Sequence, residues 1–382
     1  MKKRIGSYPR VRIEGGGRGV SQAGGVLLVE TIRKTGLDQA ISAALAPWRK
    51  PRAVHDPGKI LLDVALAVAL GGDCLADAGM LRAEPAVFGP VASDPTLSRL
   101  IDSLAAAGPK TLTAIRTGRA QVRESVWKLA GAAAPDAGGQ VTVGLDGVLV
   151  IAHSDMQDAA PTWKRTYGHH PLMAFADHGP GGTGEPVAVL HRPGNAGSNT
   201  ASDHITTTRL ALAQLPKEYR RGRQTLLRTD SAGGTRGFVA WLANQGRWLS
   251  YSVGMVITDA IHQHVLKVPA STWTPAVEAD GEIRDGAWVA ELTGDVLTGW
   301  PTGMRFIVRQ IALDLLAWMP MLALTGRARL WEPRRLRLRL FTTAGQLVTT
   351  GRRRILRLAA HWPWTLEITA ALDRLAQLRA PD

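Results

Sequence analysis

The chain has a single cysteine, Cys74, which excludes any internal disulfide and every zinc site built on several cysteines. Long apolar runs are also missing. The basic start, Met1-Lys2-Lys3-Arg4, is followed by no apolar segment that would read as a signal peptide. The most apolar later run, residues 311–324, is short and contains Asp314 and Pro320, so it reads as a buried helix and not a membrane span. Gly-rich residues 15–19 lack the Lys-Ser/Thr of a phosphate loop. Acids are scarce: 32 Asp and Glu face 46 Lys and Arg, a net charge of +14. A polyanion is therefore the first partner to consider, and a cytoplasmic, nucleoid-associated location fits. The 382 residues are enough for two or three domains and a substantial core.

The pattern centres on residues 141–152, an apolar β-branched run that reads as one strand buried on both faces and interrupted by Asp146. A buried acid needs a cation, a proton or a donor. Asp146 is either a strand-end Asp bonded to a turn or part of a site. A second stretch of the same design runs from Gln224 to Asp230 and continues into Ser231-Ala232-Gly233-Gly234, a turn whose glycines let a ligand approach the backbone. Two strands that each deliver a carboxylate can hold a hard, oxygen-ligated divalent cation between them. Such a site begins metal-dependent phosphoryl transfer.

Before this core, residues 10–14 read as a short strand and residues 24–46 as helix broken at Gly36. A helix over residues 60–70 follows Asp56-Pro57, and another opens with Asp94 as cap and Pro95 in its first turn. That helix exposes Arg99 and is either a groove-reading element or an ordinary capped surface helix. A longer one, residues 112–129, carries Arg116, Arg119 and Arg123. Beyond Asp146, strands at 187–190 and 248–253 and helices at 205–215, 235–244 and 259–268 suit a mixed α/β sheet covered on both faces. Residues 273–308 read as short strands split by turns, and 304–309 run straight into a helix at Gln310. The division expected is a helical DNA-binding region (1–135), a core with both acidic strands (136–268), a truncated β-rich insertion (269–309) and a helical Arg/Trp-rich region (310–382).

Ten arginines lie between Arg327 and Arg357 against one acid, Glu332. Arg335, Arg337 and Arg339 alternate with Leu, Arg352, Arg353 and Arg354 cluster, and Trp331, Trp362 and Trp364 are interleaved. This is either a phosphate-contacting surface or a solvated basic face with core tryptophans. His262 and His264, two apart with no Cys or acid neighbours, read as surface helix.

Several blocks together resemble the insertion-sequence 1380 type of bacterial transposase, in DDE group 1. They are Leu145-Asp146-Gly147, Ala152-His153-Ser154, Tyr167-Gly168-His169-His170-Pro171-Leu172, Phe175-Ala176-Asp177-His178-Gly179, Arg192-Pro193-Gly194-Asn195 and Arg228-Thr229-Asp230-Ser231-Ala232-Gly233. Leu315-Leu316-Ala317-Trp318-Met319 and His361-Trp362-Pro363-Trp364 also fit. The resemblance spans nearly the whole chain. It implies an RNase-H-like mixed-sheet core interrupted by a β-rich insertion. Three acids would bind two Mg²⁺ or Mn²⁺ ions for cleavage and transfer of double-stranded DNA, at transposon ends and target, and a homodimer is compatible with it. Asp146 and Asp230 match the first two acids. His169, His170 and His178 would contact the scissile phosphate or order a catalytic loop. The third acid, a Glu on a helix after the insertion, has no match, because Arg309 meets Gln310 where the family carries several tens of further residues. An internal deletion is the expectation, and with it impaired catalysis or a non-catalytic regulatory role. Glu291, Asp314 and Glu332 are the acids nearest the junction. Gly147 also departs from the family, which usually carries a small side chain there.

Overall fold

The computed structural model describes residues 10–13, 22–153, 155–179, 182, 184–245, 249–254, 271, 274–277, 283–289, 318–350, 353–360 and 362–378. The expected helix at 259–268, the junction at 309–310, His262, His264, Glu291, Asp314 and Arg352 lie outside these residues.

After β1 (Arg10–Ile13), the first helical stretch forms α1 (Val26–Thr35) and α2 (Leu37–Leu45). They part at Gly36, whose φ of 73° is a left-handed conformation suited to glycine. α3 (Pro57–Ala69) begins where the Asp56 carboxylate accepts from the backbone N–H groups of Gly58 and Lys59, at 2.8 and 3.1 Å. α4 (Ala78–Arg82) and α5 (Pro85–Phe88) lead to α6 (Asp94–Ala107), where the expected cap is displaced by one residue. Ser93 takes the cap position, and Asp94 is instead ion-paired to Arg82. α7 (Pro109–Ala130) is longer than its apolar pattern. It buries Arg119 and Arg123 completely, although charged residues on a long helix ordinarily face water.

The centre is a five-stranded sheet in the order β7 (Glu185–Leu190), β6 (Leu172–Ala176), β2 (Val141–Gly147), β8 (Gly222–Thr229), β9 (Leu249–Val253). The pairs β2–β8 and β8–β9 are parallel, and β6–β2 and β7–β6 antiparallel. The fold is mixed α/β. α8 (Ala201–Gln214), which begins four residues before its apolar pattern, packs on β6, β7 and β2; α9 (Arg236–Asn244) packs on α8 and β9.

Residues 141–152 are not one strand. β2 stops at Gly147, and Val150–Ile151 form β3 of a separate small sheet, ordered β3, β5 (Tyr167–His169), β4 (Ala160–Pro161). Nor is β2 buried on both faces. Val141, Val143 and Leu145 are buried, whereas Thr142 and Gly144 are half-buried and Asp146 is exposed. Alternation is the mark of a sheet with one covered face. A Cβ placed on Gly144 would meet nothing within 4 Å among the described residues.

β10 (Thr274–Val277) and β11 (Ile283–Val289) pair as an antiparallel hairpin within the expected insertion. Near the end, β13 (Arg353–Leu358) pairs antiparallel with β12 (Gly345–Thr350) and parallel with β1, Arg10 facing Ile355. The last helix, α10 (Thr365–Gln377), packs on α1, where the Lys34 ammonium donates to the carbonyls of Ala376 and Leu378, both at 3.0 Å. The Leu/Arg alternation at 335–339 forms no strand, despite its period of two. Residues 333–336 are a helical turn continued by a wider π-type turn at Arg337–Phe341.

Candidate active site

Parallel pairing of β2 with β8 sets Leu145 beside Thr229, so the next residues on the two strands are Asp146 and Asp230. Neighbouring strands are about 4.8 Å apart, which places the two acids side by side at one end of the sheet. Residues opposite each other in register point to the same face. Asp146 leaves β2 on the face opposite Leu145, and both acids are exposed. Asp146 has no hydrogen-bond or ion-pair partner among the described residues. Among the described residues the Asp230 carboxylate accepts only from the backbone N–H of Ala232, at 3.0 Å. The nearest cation along β8, Arg228, is engaged by Asp177 at 3.2 Å. Two adjacent carboxylates without a protein cation fit a divalent metal by the chemistry of their oxygens.

The turn after Asp230 packs closely on its own chain. A Cβ on Gly233 would fall 2.3 Å from the Thr229 Oγ1, and one on Gly254, just beyond β9, would strike the Asp230 backbone. These contacts fix where Asp230 leaves β8.

Gly147 is explained by His170. A Cβ there would stand 2.8 Å from the imidazole Nε2. His170 is buried, and its Nδ1 lies 3.1 Å from the Ala196 carbonyl. A carbonyl only accepts, so Nδ1 is the donor in this contact. Arg192 ties this loop down, donating to the carbonyls of His170 and Gly197, each at 2.9 Å, and to the Asp203 carboxylate at 3.0 Å. His169 is also buried, its Nε2 2.9 Å from the Gln157 carbonyl and its ring 4.5 Å from that of His191. Both histidines hold loops together, and neither presents an open face. His178 sits at the opposite end of the sheet from Asp146, packed beside Glu185. Burial holds its imidazole below the usual range, against the pull of that carboxylate.

His204, in the first turn of α8, escaped the sequence reading. It is buried, with Nδ1 3.0 Å from the Thr200 carbonyl and its ring against Phe238. Burial lowers its pKa, Thr200 opposes this, Arg192 adds to it, and the Asp203 and Asp230 carboxylates oppose it. The only signal was an Asp-His pair opening a helix after Arg192-Pro193-Gly194-Asn195.

The other candidates lie apart. Arg99 is exposed on α6, bonded to the Thr96 hydroxyl at 3.2 Å. Arg335 is exposed and pairs with the exposed Glu332 at 3.2 Å. Arg337 donates to the carbonyls of Ala69 and Val68, at 2.8 and 3.1 Å, which closes the end of α3. Arg353 and Arg354 lie on β13. Among the tryptophans, Trp331 is buried, and the Arg339 guanidinium lies over both Trp331 and Trp364, at 4.6 and 4.5 Å.

Among the described residues, the one group of three ligating side chains with atoms within 4.8 Å of each other is Asp73, Cys74 and Asp77. There Asp77 already accepts from the backbone N–H groups of Asp73 and Cys74, both at 2.9 Å, as a turn requires. No third ligating side chain among the described residues joins Asp146 and Asp230 in such a group.

The chain matches the family described as transposase DDE domain, group 1, in two pieces, residues 3–310 and 300–380. No curated protein and no solved structure matches it.

Proposed function

Because the chain belongs to the group 1 DDE-domain transposases, a family of metal-dependent DNA-cutting enzymes, we propose that it binds the terminal inverted repeats of an insertion sequence of the 1380 type through a site impaired for cleavage. The observation that carries this reading is the pair Asp146 and Asp230, exposed at adjacent parallel strand ends without a cation partner among the described residues. The strand order, with β2, β8 and β9 parallel and β6 and β7 added beyond β2 through successive antiparallel pairs, supports an RNase-H-like core within residues 136–268.

Asp146 and Asp230 would hold Mg²⁺ or Mn²⁺, which when bound activates the attacking hydroxyl and offsets charge on the phosphate. Asp230 is held in place by Ala232 and Gly254, while Gly147 and His170 fix the end of β2 that bears Asp146. The exposed face leaves room for a duplex, and the net charge of +14 favours it.

Two observations support impairment. Among the described residues no third ligating side chain joins Asp146 and Asp230, and the family match breaks into pieces that overlap at residues 300–310, where the sequence resemblance loses the segment bearing the third acid. Catalysis of this kind depends on placement and electrostatics, so loss of one preorganised ligand is expected to slow cleavage by roughly a hundredfold or more. The same observations favour a second reading, a non-catalytic DNA-binding regulator of an intact relative.

Two assays test the proposal. A mobility shift on candidate terminal repeats should show binding that weakens steeply with salt; no binding at low salt sinks both readings. Strand cleavage with Mg²⁺ or Mn²⁺ should fall far below that of a version with the missing segment restored. A comparable rate that Asp146→Ala abolishes would show that another acid completes the site.

A further inference from the structure

Away from the acids, the loop of residues 49–56 and helices α3 and α6 enclose a cavity of about 560 Å³. Its walls are apolar, with Trp48, Ile60 and Leu100 among them, and Lys50, Arg52 and Arg99 are its cations. No acid lines it. None of these three cations has a carboxylate partner among the described residues, and all three are exposed. Arg52 adopts a left-handed φ of 62°, which a non-glycine residue holds only where its surroundings demand it.

We propose that this cavity receives one unpaired nucleotide of DNA, its base against Trp48 and its flanking phosphates on Lys50, Arg52 and Arg99. The inference rests on the DNA-binding reading above and deepens it by naming the form of DNA bound. Shape decides between duplex and unpaired base. A duplex groove is read by an element that projects into it. A depression takes what projects from the nucleic acid, and an unstacked base is the part of DNA that does. The volume is within the range of small-molecule sites. An apolar wall with an indole suits the flat faces of a base, and the cations suit its phosphates. Trp48 packs against the helical core, so its ring is held in place.

The test uses the full chain and three labelled probes in fluorescence anisotropy: a mixed-sequence single strand, the same strand in perfect duplex, and that duplex with one bulged thymine. The single strand and the bulged duplex should bind more tightly than the perfect duplex. Trp48→Ala should weaken them by roughly 5- to 150-fold and leave the perfect duplex unchanged. Trp48→Phe should restore most of the loss, which separates stacking from a folding defect. In the unaltered chain, 5-iodouracil at the bulge should crosslink within residues 48–60 or 96–103. The proposal is overturned if the bulge confers no advantage, if Trp48→Ala weakens all three probes alike, or if the crosslink maps elsewhere. Absence of binding to every probe would overturn the DNA-binding reading itself, whereas duplex binding without preference overturns this inference alone.

Discussion

Glu185 is the most committed single residue in the molecule. It is fully buried on β7 and accepts from Arg123 at 2.8 Å, from the Trp127 indole at 2.9 Å and from the Trp318 indole. Burial alone would raise its pKa, but Arg123 above all, then His178 and the two indoles, hold it below the usual carboxylate range. Breaking such a pair from one side leaves a charge stranded, so Glu185→Ala is expected to cost about 3–5 kcal/mol in urea unfolding at neutral pH. Because the folded carboxyl has the lower pKa, its contribution is complete above the ordinary carboxylate range. It is lost as pH falls through the depressed value, so the penalty should shrink in acid. Asp63 has the opposite sign. It is buried beside Lys59, and burial outweighs that ammonium, pushing its pKa up to about 6. Its contribution is present below the ordinary carboxylate range and lost as pH rises through about 6. Asp63→Asn should therefore raise the Tm at pH well above that value relative to the native chain, and a lower Tm there would refute the account. At Gly147, alanine should force the His170 ring aside and cost about 1–3 kcal/mol. In a His170→Ala background that penalty should largely vanish, as a double-mutant cycle would show.

At the scale of elements, local grammar was readable and long-range partnership was not. Asp56 before Pro57 announced α3, and the apolar runs that carry Asp146 and Asp230 announced β2 and β8, though not the end of β2, because caps and strand periods are written within a few residues. The stop at Gly147 depends on His170, 23 positions later, and the burial of Arg123 depends on Glu185, 62 positions later. Neither dependence shows in a local pattern. The same limit applies to the arginines of the C-terminal part, where identity alone did not separate those facing water from those closing a helix. Arg337→Ala removes two donors from the end of α3, and about 1–2 kcal/mol of stability should go with them, with no change in the salt dependence of DNA binding. Arg335→Ala should do the reverse if Arg335 meets a phosphate: stability unchanged, and the slope of log K against log salt reduced by about one. A change in both quantities for either variant would contradict this assignment.

For the whole molecule, the mixed sheet could be anticipated from strands alternating with helices, but its order could not, since parallel neighbours β2 and β8 are separated by five strands and a helix in the chain. The site shares this property. Asp146 and Asp230 stand side by side only because the sheet brings the two strands into register, so the site should be lost with the sheet, and its metal affinity should fall with the same urea midpoint as the fold.

The parallel pairing of β1 with β13 has a consequence in time. Arg10 and Ile355 are register partners about 345 residues apart. At about 5–20 residues per second, β1 waits roughly 20–70 s on the ribosome before its partner is made. During that interval its edge is open, and α1 lacks the helix that later covers it. The helix α1 is therefore covered only when translation has passed residue 377, and β1 is paired only when it has passed residue 358. A message cut short before that point yields a product with an exposed edge that chaperones or proteases should intercept, and not a smaller DNA-binding protein.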